Sequence, residues 1–435
     1  MTELMQRILP TVQKPARYTG GEWGEIKKDL KDVRVRVAFC FPDTYEIGMS
    51  NLGMRILYGV MNGMDGVWCE RVFAPWGDME QAMRDNSLPL WALESQTPVR
   101  EFDMIAFTIG YEMAYSNILN MLNLADVPLR SKDRQGLKNI VFAGGVCAFN
   151  PEPLADFIDF FSLGEGEDIT VEILQLYDRA KAEGWSKDAF LHEAAKIPGV
   201  YVPGFYRHEY NDDGTLAAIV PLEGVPQTVT KRIIEDLDNA YFPAKMIVPS
   251  TEIVHDRANL EVFRGCIRGC RFCQAGYVYR PVRNRSRELC ARYGVESCND
   301  SGYQEVTLSS LSTSDYPPLT ELCDQLEPFC QQRHVNLSLP SLRADNFSMS
   351  LMERLAKGRK SGLTFAPEAG TQRLRDVINK NVTQEDLLAS CRTAFAGGYS
   401  AVKLYFMLGL PTETDEDVLG IADLAARVMH TWRES

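Results

Sequence analysis

The chain has 435 residues, of which 45% are hydrophobic and 24% charged, and its formal net charge is −13. This balance is typical of globular proteins with two or three domains, and it excludes a disordered, fibrous or small disulfide-stabilised protein. The acidic charge disfavours a protein that wraps nucleic acid with its whole surface, whereas a local basic patch stays compatible with it.

Location and cysteine content point to an intracellular metal or redox protein. No apolar run approaches the roughly 20 residues that a membrane-spanning helix needs. Residues 1–31 are mixed and polar and lack the apolar core of a signal peptide, which predicts a cytoplasmic protein. Eleven cysteines in such a chain argue against structural disulfides, so we interpret cysteine clusters first as metal or redox sites.

Short strands alternate with helices through the first half of the chain. After an arm at residues 1–32, apolar patterns predict strands at residues 33–41, 67–73, 103–109, 139–143 and 158–163. Helices are predicted at residues 49–61, 78–84, 113–125 and 167–182. The alternation predicts an α/β domain at residues 33–190 with a five-stranded parallel sheet, whose ligands bind at the carboxyl ends of the strands.

The rhythm breaks at residues 191–255, where prolines and a turn at Asn211–Gly214 predict a linker with a hairpin between two domains. A second series then predicts strands at residues 260–264, 305–309, 335–339, 362–366 and 401–407. Its helices are predicted at residues 317–332, 349–357, 371–378 and 415–431. Five βα units predict a TIM-type barrel or partial barrel at residues 256–435.

The strongest chemical signal is the spacing CxxxCxxC at Cys266, Cys270 and Cys273. Thiolates are soft ligands that suit iron–sulfur clusters and zinc, and the glycines before the first two cysteines let the backbone curl around an inorganic core. A zinc site or a ferredoxin-type cluster requires a fourth ligand, for which Cys290 and Cys298 are candidates. Three thiolates on a cubane would instead leave one iron open to another molecule.

This loop resembles that of radical S-adenosylmethionine (SAM) enzymes, whose first barrel strand ends in CxxxCx(aromatic)C, with Phe272 at the aromatic position. The resemblance implies that the three cysteines bind a [4Fe–4S] cluster and that its open iron chelates SAM. One electron would cleave the sulfonium bond to a 5′-deoxyadenosyl radical, which abstracts a substrate hydrogen. An electron donor such as flavodoxin or ferredoxin is then an implied partner.

The same resemblance implies SAM contacts at the ends of successive strands. Ser309 and Ser310 stand where many members have Gly-Gly-Glu, and Arg343 would pair with the SAM carboxylate. Glu368, in a turn similar to that of the methylthiotransferase-like branch, would bind the ribose, and the backbone near Gly409 would hold adenine. For each residue the alternative is an ordinary turn, helix cap or surface ion pair. The sixth βα unit expected of the superfamily is missing, which predicts a truncated chain.

The first domain resembles the flavodoxin-like cobalamin-binding domain of B12-dependent radical SAM enzymes. Gly144 and Gly145 end the fourth strand, and Gly164 and Gly166 follow the fifth, where that domain often carries Gly-Glu-Gly-Glu. The resemblance implies that these glycines let the backbone approach cobalamin closely. The alternative is that they only make tight strand-to-helix turns.

One departure concerns the ligand to cobalt. Many such domains carry Asp-x-His-x-x-Gly, whereas this chain has Asp43, Tyr45 and Gly48 at the matching positions and no histidine in residues 1–191. A neutral phenol is a poor cobalt ligand, so the resemblance implies either cobalamin bound without a histidine or a domain that has lost the cofactor. The motifs at residues 42–48 and 366–370 are similar to those of the uncharacterised radical SAM family with a B12-binding domain.

A stripe of basic residues adjoins the cysteine loop and consists of Arg264, Arg268, Arg271, Arg280, Arg283, Arg285, Arg287 and Arg292. One interpretation is that the stripe guides RNA or a phosphorylated substrate to the cluster, with Tyr277 and Tyr279 stacking on bases. The favoured interpretation is that the arginines pair with acids of the first domain, or serve SAM and the electron donor.

The predicted function is therefore that of a radical SAM enzyme that performs cobalamin-dependent methyl transfer. An alternative is a cobalamin-independent, methylthiotransferase-like enzyme that modifies RNA. Such enzymes usually hold a second cluster, for which Cys40, Cys69 and Cys147 are candidates, although cysteines of the core are favoured here. The non-enzyme alternative is a zinc- or cobalamin-binding module.

Overall fold

The structure is a computed structural model that describes residues 2–340, 343 and 363–435. The chain divides into two compact units, one formed by Met1–Ile234 with Ala240–Asp256 and the other by Glu235–Asn239 with Arg257–Ser435. None of the described helices is both long and apolar enough to cross a membrane. The helix predicted at residues 349–357 lies outside the described residues.

The first unit contains eight described strands and seven described α-helices. The strands are β1 (Val35–Phe41), β2 (Val67–Phe73), β3 (Met104–Thr108), β4 (Ile140–Gly144), β5 (Phe160–Ser162), β6 (Val200–Tyr201), β7 (Tyr206–Tyr210) and β8 (Leu216–Pro221). The helices are α1 (Thr2–Ile8), α2 (Tyr45–Gly48), α3 (Leu52–Gly63), α4 (Gly77–Asp85), α5 (Tyr115–Leu124), α6 (Gly166–Glu183) and α7 (Lys187–Ala194).

The main sheet of this unit has the strand order β2-β1-β3-β4-β5-β6. Strands β1 to β5 are parallel, which confirms the predicted sheet, and the order 2-1-3-4-5 is that of flavodoxin-like folds. Strand β6 adds an antiparallel edge that the sequence did not predict, because only two of its residues pair with β5. Strands β7 and β8 form the predicted hairpin.

Helices cover both faces of the sheet, which explains why β1 and β2 are apolar along most of their length. One core contains Phe39 of β1 together with side chains of α3 and α6. The other contains Phe107 of β3 together with side chains of α4 and α5. Each fully buried large side chain contributes about 1.5–3 kcal/mol to folding, so the two cores hold this sheet in place.

A buried ion cluster ties the N-terminal arm to the sheet. Arg71 of β2 is 1% exposed, and its guanidinium donates to Glu94 (2.6 Å) and to both carboxylate oxygens of Glu22 (2.9 Å each). Glu25 lies 3.4 Å from the same guanidinium. Burial alone would raise the pKa of Glu22, but the charge and hydrogen bonds of Arg71 outweigh burial and lower that pKa to about 2.

A glycine is required directly after β5. Gly164 has φ +106°, and a Cβ added there would lie 2.1 Å from the backbone oxygen of Arg232. The contact is close because the amide of Glu165 donates to that oxygen (2.9 Å) while the amide of Arg232 donates to Leu163 (2.8 Å). This glycine therefore has a structural role that does not depend on any ligand.

We expect Gly164→Ala to lower the free energy of unfolding of the first unit by about 1–3 kcal/mol, because alanine rarely adopts this backbone conformation. The matched control is Gly63→Ala in the last turn of α3, where nothing lies within 4 Å of the added Cβ. The control should raise stability by about 0.5–1 kcal/mol. Urea denaturation measures both, and equal effects would mean that the loop after β5 relaxes around a side chain.

The second unit contains seven further described strands and six described α-helices. The strands are β9 (Ala258–Glu261), β10 (Phe263–Arg264), β11 (Arg283–Asn284), β12 (Glu305–Ser309), β13 (Asn336–Ser338), β14 (Leu363–Glu368) and β15 (Val402–Phe406). The helices are α8 (Ala275–Val278), α9 (Arg287–Ser301), α10 (Leu319–Arg333), α11 (Gln372–Val377), α12 (Gln384–Ala396) and α13 (Asp415–Glu434).

Parallel strands also organise this unit, as the predicted βα series requires. Strands β9, β12 and β13 pair in the order β13-β12-β9, and β14 pairs with β15. Gly294 of α9 faces Leu260 of β9 and Val306 of β12, so this helix covers one face of these two strands. The opposite face carries polar residues such as Asn259 and Thr307, which pair across β9 and β12.

Candidate active site

The three clustered cysteines lie in a loop between β10 and α8. Strand β10 pairs with β11, and the chain turns away from this ribbon at Gly265, which has φ +89°. A Cβ there would lie 2.5 Å from the backbone oxygen of Pro281, so only glycine fits. Cys266, Cys270 and Cys273 follow, each partly exposed and free of disulfides. The loop therefore presents three accessible thiols within eight consecutive residues.

Opposing electrostatic effects act on the central thiol of the loop. Burial raises the pKa of Cys270, as do the neighbouring Cys273 and Cys266, while Lys380 and Arg343 act in the opposite direction. The amide of Arg268 donates to the Cys266 sulfur at 3.4 Å. Nearby positive charge and an N–H donor both favour thiolates, the form that binds metal.

The donor set fits a cluster better than a single ion. In the part of the chain that the structure describes, no three His, Cys, Asp or Glu side chains converge as ligands of one metal ion. A cubane binds each thiolate through a different iron, so its ligands need not converge on one point. The fourth-ligand candidates Cys290 and Cys298 are buried in α9, and burial raises their thiol pKa values to about 12 and about 11. Cys290 and Cys298 therefore pack within the core next to α9, and neither is available as the fourth ligand of a zinc site.

The cysteine loop is fastened to the turn that follows α11. The amide of Arg271 donates to Ile378 (3.0 Å), and the Asn379 side chain donates to the carbonyl of Gly269 (2.8 Å). The Arg271 guanidinium also donates to Val377. Sequence reasoning missed this turn, and the available signal was an asparagine–lysine–asparagine run directly after a short helix.

Three of the residues predicted to contact SAM lie around Lys380. Lys380 itself was not predicted from the sequence. Its ammonium lies 3.0 Å from Glu368 and 5.9 Å from the centre of the Phe272 ring. The Arg343 guanidinium donates to the Lys380 carbonyl (3.2 Å). The structure thus brings Phe272, Arg343 and Glu368 together beside the cysteine loop, and their contact with SAM stays a prediction.

The serines after β12 serve mainly to shape their own loop. The Ser309 carbonyl accepts from Val262 (3.1 Å), and the Ser310 hydroxyl lies 3.0 Å from that of Thr313. Ser312 donates to Asp315 (2.7 Å), which in turn receives the Arg268 guanidinium of the cysteine loop (2.9 Å). This chain of contacts links the end of β12 to the thiols.

Gly409 and the turn after β14 have different roles. Gly409 is exposed with φ +80°, and its amide donates to Glu413 (2.6 Å), so the backbone of this loop faces outward. Gly370 instead lies against α13, where an added Cβ would be 2.3 Å from the backbone nitrogen of Ile421. Gly370 is therefore needed for the packing of this turn against α13.

Each arginine of the basic stripe makes at least one contact within the second unit, and the pairing of the stripe with acids of the first domain stays a prediction. Its members pair with acids or carbonyls nearby: Arg264 with Glu261, Arg268 with Asp315, Arg271 with Val377, Arg283 with Tyr279, Arg285 with Leu237, Arg287 with Glu288 and Arg292 with Glu296. The Arg280 guanidinium stacks on Tyr277 (4.9 Å). These contacts contribute to the local structure around the cysteine loop.

The predicted cobalamin contacts lie at the carboxyl edge of the first unit's sheet, and several have structural roles there. The Tyr45 hydroxyl is buried and donates to Glu22 (2.8 Å), so it turns away from the edge. A Cβ on Gly48 would meet the Phe73 ring at 2.3 Å, one on Gly166 would meet Leu57 at 2.9 Å, and one on Gly145 would meet Ile109 at 2.6 Å. Gly144 has ordinary space around it.

The same edge carries exposed apolar side chains. Ile47, Trp76, Tyr111 and Met113 follow β1, β2 and β3, and Met113 is 84% exposed. Asp43 holds these loops together, because it accepts from Tyr111 (2.5 Å) and its carbonyl accepts from Ala74 (3.0 Å). Sequence reasoning did not select these apolar residues, although their position after successive strands was visible.

The candidates for a second cluster are separated by the sheet. Cys69 lies in the core on the side of α3 and α6, whereas Cys40 and Cys147 lie in the core on the side of α4 and α5. Burial raises the pKa of all three thiols. Three neutral thiols on two faces of a sheet do not form one binding site, so they act as core residues.

Relatives support the architecture of both units. Residues 53–203 match the family model "Radical SAM proteins, N-terminal", and residues 260–425 match "Radical SAM superfamily". Uncharacterized protein MJ0966 of Methanocaldococcus jannaschii is 28% identical over 398 residues, which cover 90% of this chain and 73% of that protein. The threonylcarbamoyladenosine tRNA methylthiotransferase MtaB of Treponema pallidum is 23% identical over 210 residues, 47% of this chain and 43% of that protein.

Solved structures share the fold. The radical SAM methyltransferase TsrM of Kitasatospora setae, with cobalamin and a [4Fe–4S] cluster bound, gives a TM-score of 0.59 at 15% identity and covers 91% of this chain and 73% of its own. The cobalamin-dependent SAM radical enzyme OxsB gives 0.56 at 13% identity and covers 97% and 56%. With the thiol loop and both family matches, the chain belongs to the radical SAM superfamily of enzymes, which use a [4Fe–4S] cluster and SAM.

Proposed function

We propose that this protein is a cobalamin-dependent radical SAM methyltransferase. The observation that carries the proposal is a sheet with the flavodoxin-like strand order whose carboxyl edge exposes apolar side chains. In sequence, this sheet precedes the loop with the three thiols. TsrM, a methyltransferase whose structure holds both cofactors, has the same fold over 91% of this chain. Cobalamin, when bound, supplies a cobalt centre that carries a methyl group.

The residues at this edge are suited to contact a corrin ring, but they are poorly suited to ligate its cobalt. Ile47, Trp76 and Met113 offer apolar surface suited to a large flat macrocycle. The hydrogen bond to Asp43, together with partial burial, raises the pKa of Tyr111 to about 12, so its phenol stays neutral. With the Tyr45 hydroxyl donating to Glu22, we propose that cobalamin binds here without a tyrosine or histidine ligand to cobalt.

In the second unit the protein's own groups bind and orient SAM. Cys266, Cys270 and Cys273 would hold the [4Fe–4S] cluster, which supplies the electron that cleaves SAM. Arg343 would neutralise the SAM carboxylate through paired N–H donors, and Glu368 would accept from the ribose hydroxyls. Ser309, Ser310, Phe272 and Gly409 complete the proposed contacts around the cofactor.

Cobalamin retention tests the proposal. The chain is purified without oxygen, incubated with hydroxocobalamin, desalted, and its visible spectrum recorded; we expect roughly one cobalamin per chain and no histidine-ligated signature. Met113→Glu should weaken retention at least about tenfold, because it places a charge on the apolar edge. Val254→Glu, at an exposed apolar position elsewhere in the first unit, should leave retention unchanged. Absence of retention by the unaltered chain would refute the proposal.

The alternative is a methylthiotransferase-like enzyme acting on RNA, which the likeness to MtaB favours. Such an enzyme usually holds two clusters, whereas the cysteines available for a second one lie in two separate cores. Iron analysis separates the two functions, because one cluster gives roughly four irons per chain and two give roughly eight. We expect about four.

A further inference from the structure

The last residue of α11 and the turn that follows it (residues 377–380) contact the cysteine loop, and we call this segment the clasp. It receives the cysteine loop through two backbone contacts, from Arg271 to Ile378 (3.0 Å) and from the Arg271 guanidinium to Val377. Asn379 adds a side-chain contact to Gly269 (2.8 Å), between the first and second cysteines. The loop is thus fixed from a segment more than 100 residues away in sequence.

The backbone of the clasp explains its residue types. Asn379 has φ +54°, and Asn381, directly after the clasp, has φ +52°. Asparagine tolerates this left-handed conformation better than most residues. The fit to the loop is close, since a Cβ on Gly269 would lie 3.2 Å from the Asn379 side-chain nitrogen. A short, sharply turned segment can therefore present both a side-chain amide and the next residue to the loop.

Lys380 places a largely buried ammonium group next to the cysteine loop. Its side chain is only 12% exposed, and its ammonium lies 3.0 Å from Glu368 and 5.9 Å from the Phe272 ring centre. Phe272 sits between Cys270 and Cys273 in the loop, and Glu368 ends β14 with φ +68°. A single ammonium therefore holds the aromatic residue of the loop and the carboxylate of a neighbouring strand in fixed relation.

We propose that Asn379 and Lys380 are positioning residues for the thiol loop. Asn379 fixes the loop backbone at Gly269, so that the thiols are spaced before any cluster binds. Lys380 holds Phe272 and Glu368 in place and brings a positive charge to the cysteine loop, where it acts on Cys270. A positive charge in a partly buried site next to the cysteine loop would favour the state of a bound cluster that carries more negative charge, so it would ease one-electron reduction.

An EPR-monitored redox titration of the reconstituted protein tests the charge. Lys380→Gln should shift the midpoint potential of the cluster to more negative values while iron content stays near that of the unaltered chain. Lys380→Arg should restore the potential, because it keeps the charge. The control is Lys403→Gln on β15, whose ammonium stacks on Tyr405 (4.8 Å), and it should leave the potential unchanged. An unshifted potential in Lys380→Gln would overturn the role of Lys380.

Asn379 is tested separately, by the quality of the cluster rather than its potential. Asn379→Ala should lower iron incorporation at least about threefold and broaden the EPR signal, because removing one fixed hydrogen bond frees the loop. Asn381→Ala removes the neighbouring asparagine as a matched change, and circular dichroism verifies that both variants fold. Normal iron and a sharp signal in Asn379→Ala would contradict its role. None of these measurements involves cobalamin, so their outcome is independent of the proposed methyl transfer.

Discussion

Replacing Cys270 with alanine should remove the cluster and stop SAM cleavage. Cys270 is the central thiol of the loop, and its pKa responds to the other two cysteines and to Lys380. Without it, two thiolates remain, too few to hold a cubane against loss of iron. We expect cluster-bound iron to fall at least about tenfold and 5′-deoxyadenosine to become undetectable by chromatography.

The matched control is Cys290→Ala. Cys290 is buried in α9, where its sulfur lies 3.9 Å from the Tyr316 hydroxyl, so its removal costs packing and leaves the loop intact. Iron content and 5′-deoxyadenosine formation should stay at the level of the unaltered chain. If the control lost iron and Cys270→Ala kept it, the ligand assignment would be wrong, and zinc in place of iron would indicate a structural metal site.

Arg71→Met should destabilise the first unit by about 3–5 kcal/mol, the largest stability effect that we expect in this unit. The guanidinium is surrounded by Glu22, Glu25 and Glu94. Its removal leaves the buried carboxylates of Glu22 and Glu94 without their cation, whereas Glu25 keeps its pair with Lys27 (3.0 Å). Methionine fills similar volume, so the loss reports on charge more than on a cavity. Urea unfolding followed by the fluorescence of the buried Trp68 and Trp91 measures it.

Arg84→Met provides the comparison for this change. Arg84 forms an exposed pair with Glu80 one helical turn away, a geometry that contributes at most about 0.5 kcal/mol. The two variants differ in burial while the chemical change is the same. A loss below about 1 kcal/mol in Arg71→Met would mean that the carboxylates take up protons and remain buried as neutral acids.

Elements with a strong local pattern could be predicted from sequence. Strands β2 and β12 begin and end where apolar runs flanked by turns place them. Helices α9 and α12 were not predicted, because both mix polar and small residues along much of their length. Strand β6 has two residues, and it exists only because β5 offers an edge to pair with. Such elements depend on neighbours that are distant in sequence.

The candidate site shows the same division. The three cysteines are adjacent in sequence, so their spacing alone identified the loop. Lys380 and Asn379 act across more than 100 residues, and no local pattern predicts which segment will meet the loop. The arginine stripe is a related case, because a run of positive charges in the sequence does not specify that Arg268 pairs with Asp315 or Arg264 with Glu261.

The ion cluster around Arg71 also bears on how this protein can be shortened. A chain that starts at Val33 would retain every strand of the sheet and every glycine of its carboxyl edge. It would lack Glu22 and Glu25, so two buried guanidinium nitrogens of Arg71 would lose their carboxylate acceptors. The N-terminal arm thus supplies the carboxylates that neutralise a charge buried under the sheet. A chain trimmed to its regular elements would leave that charge exposed to water.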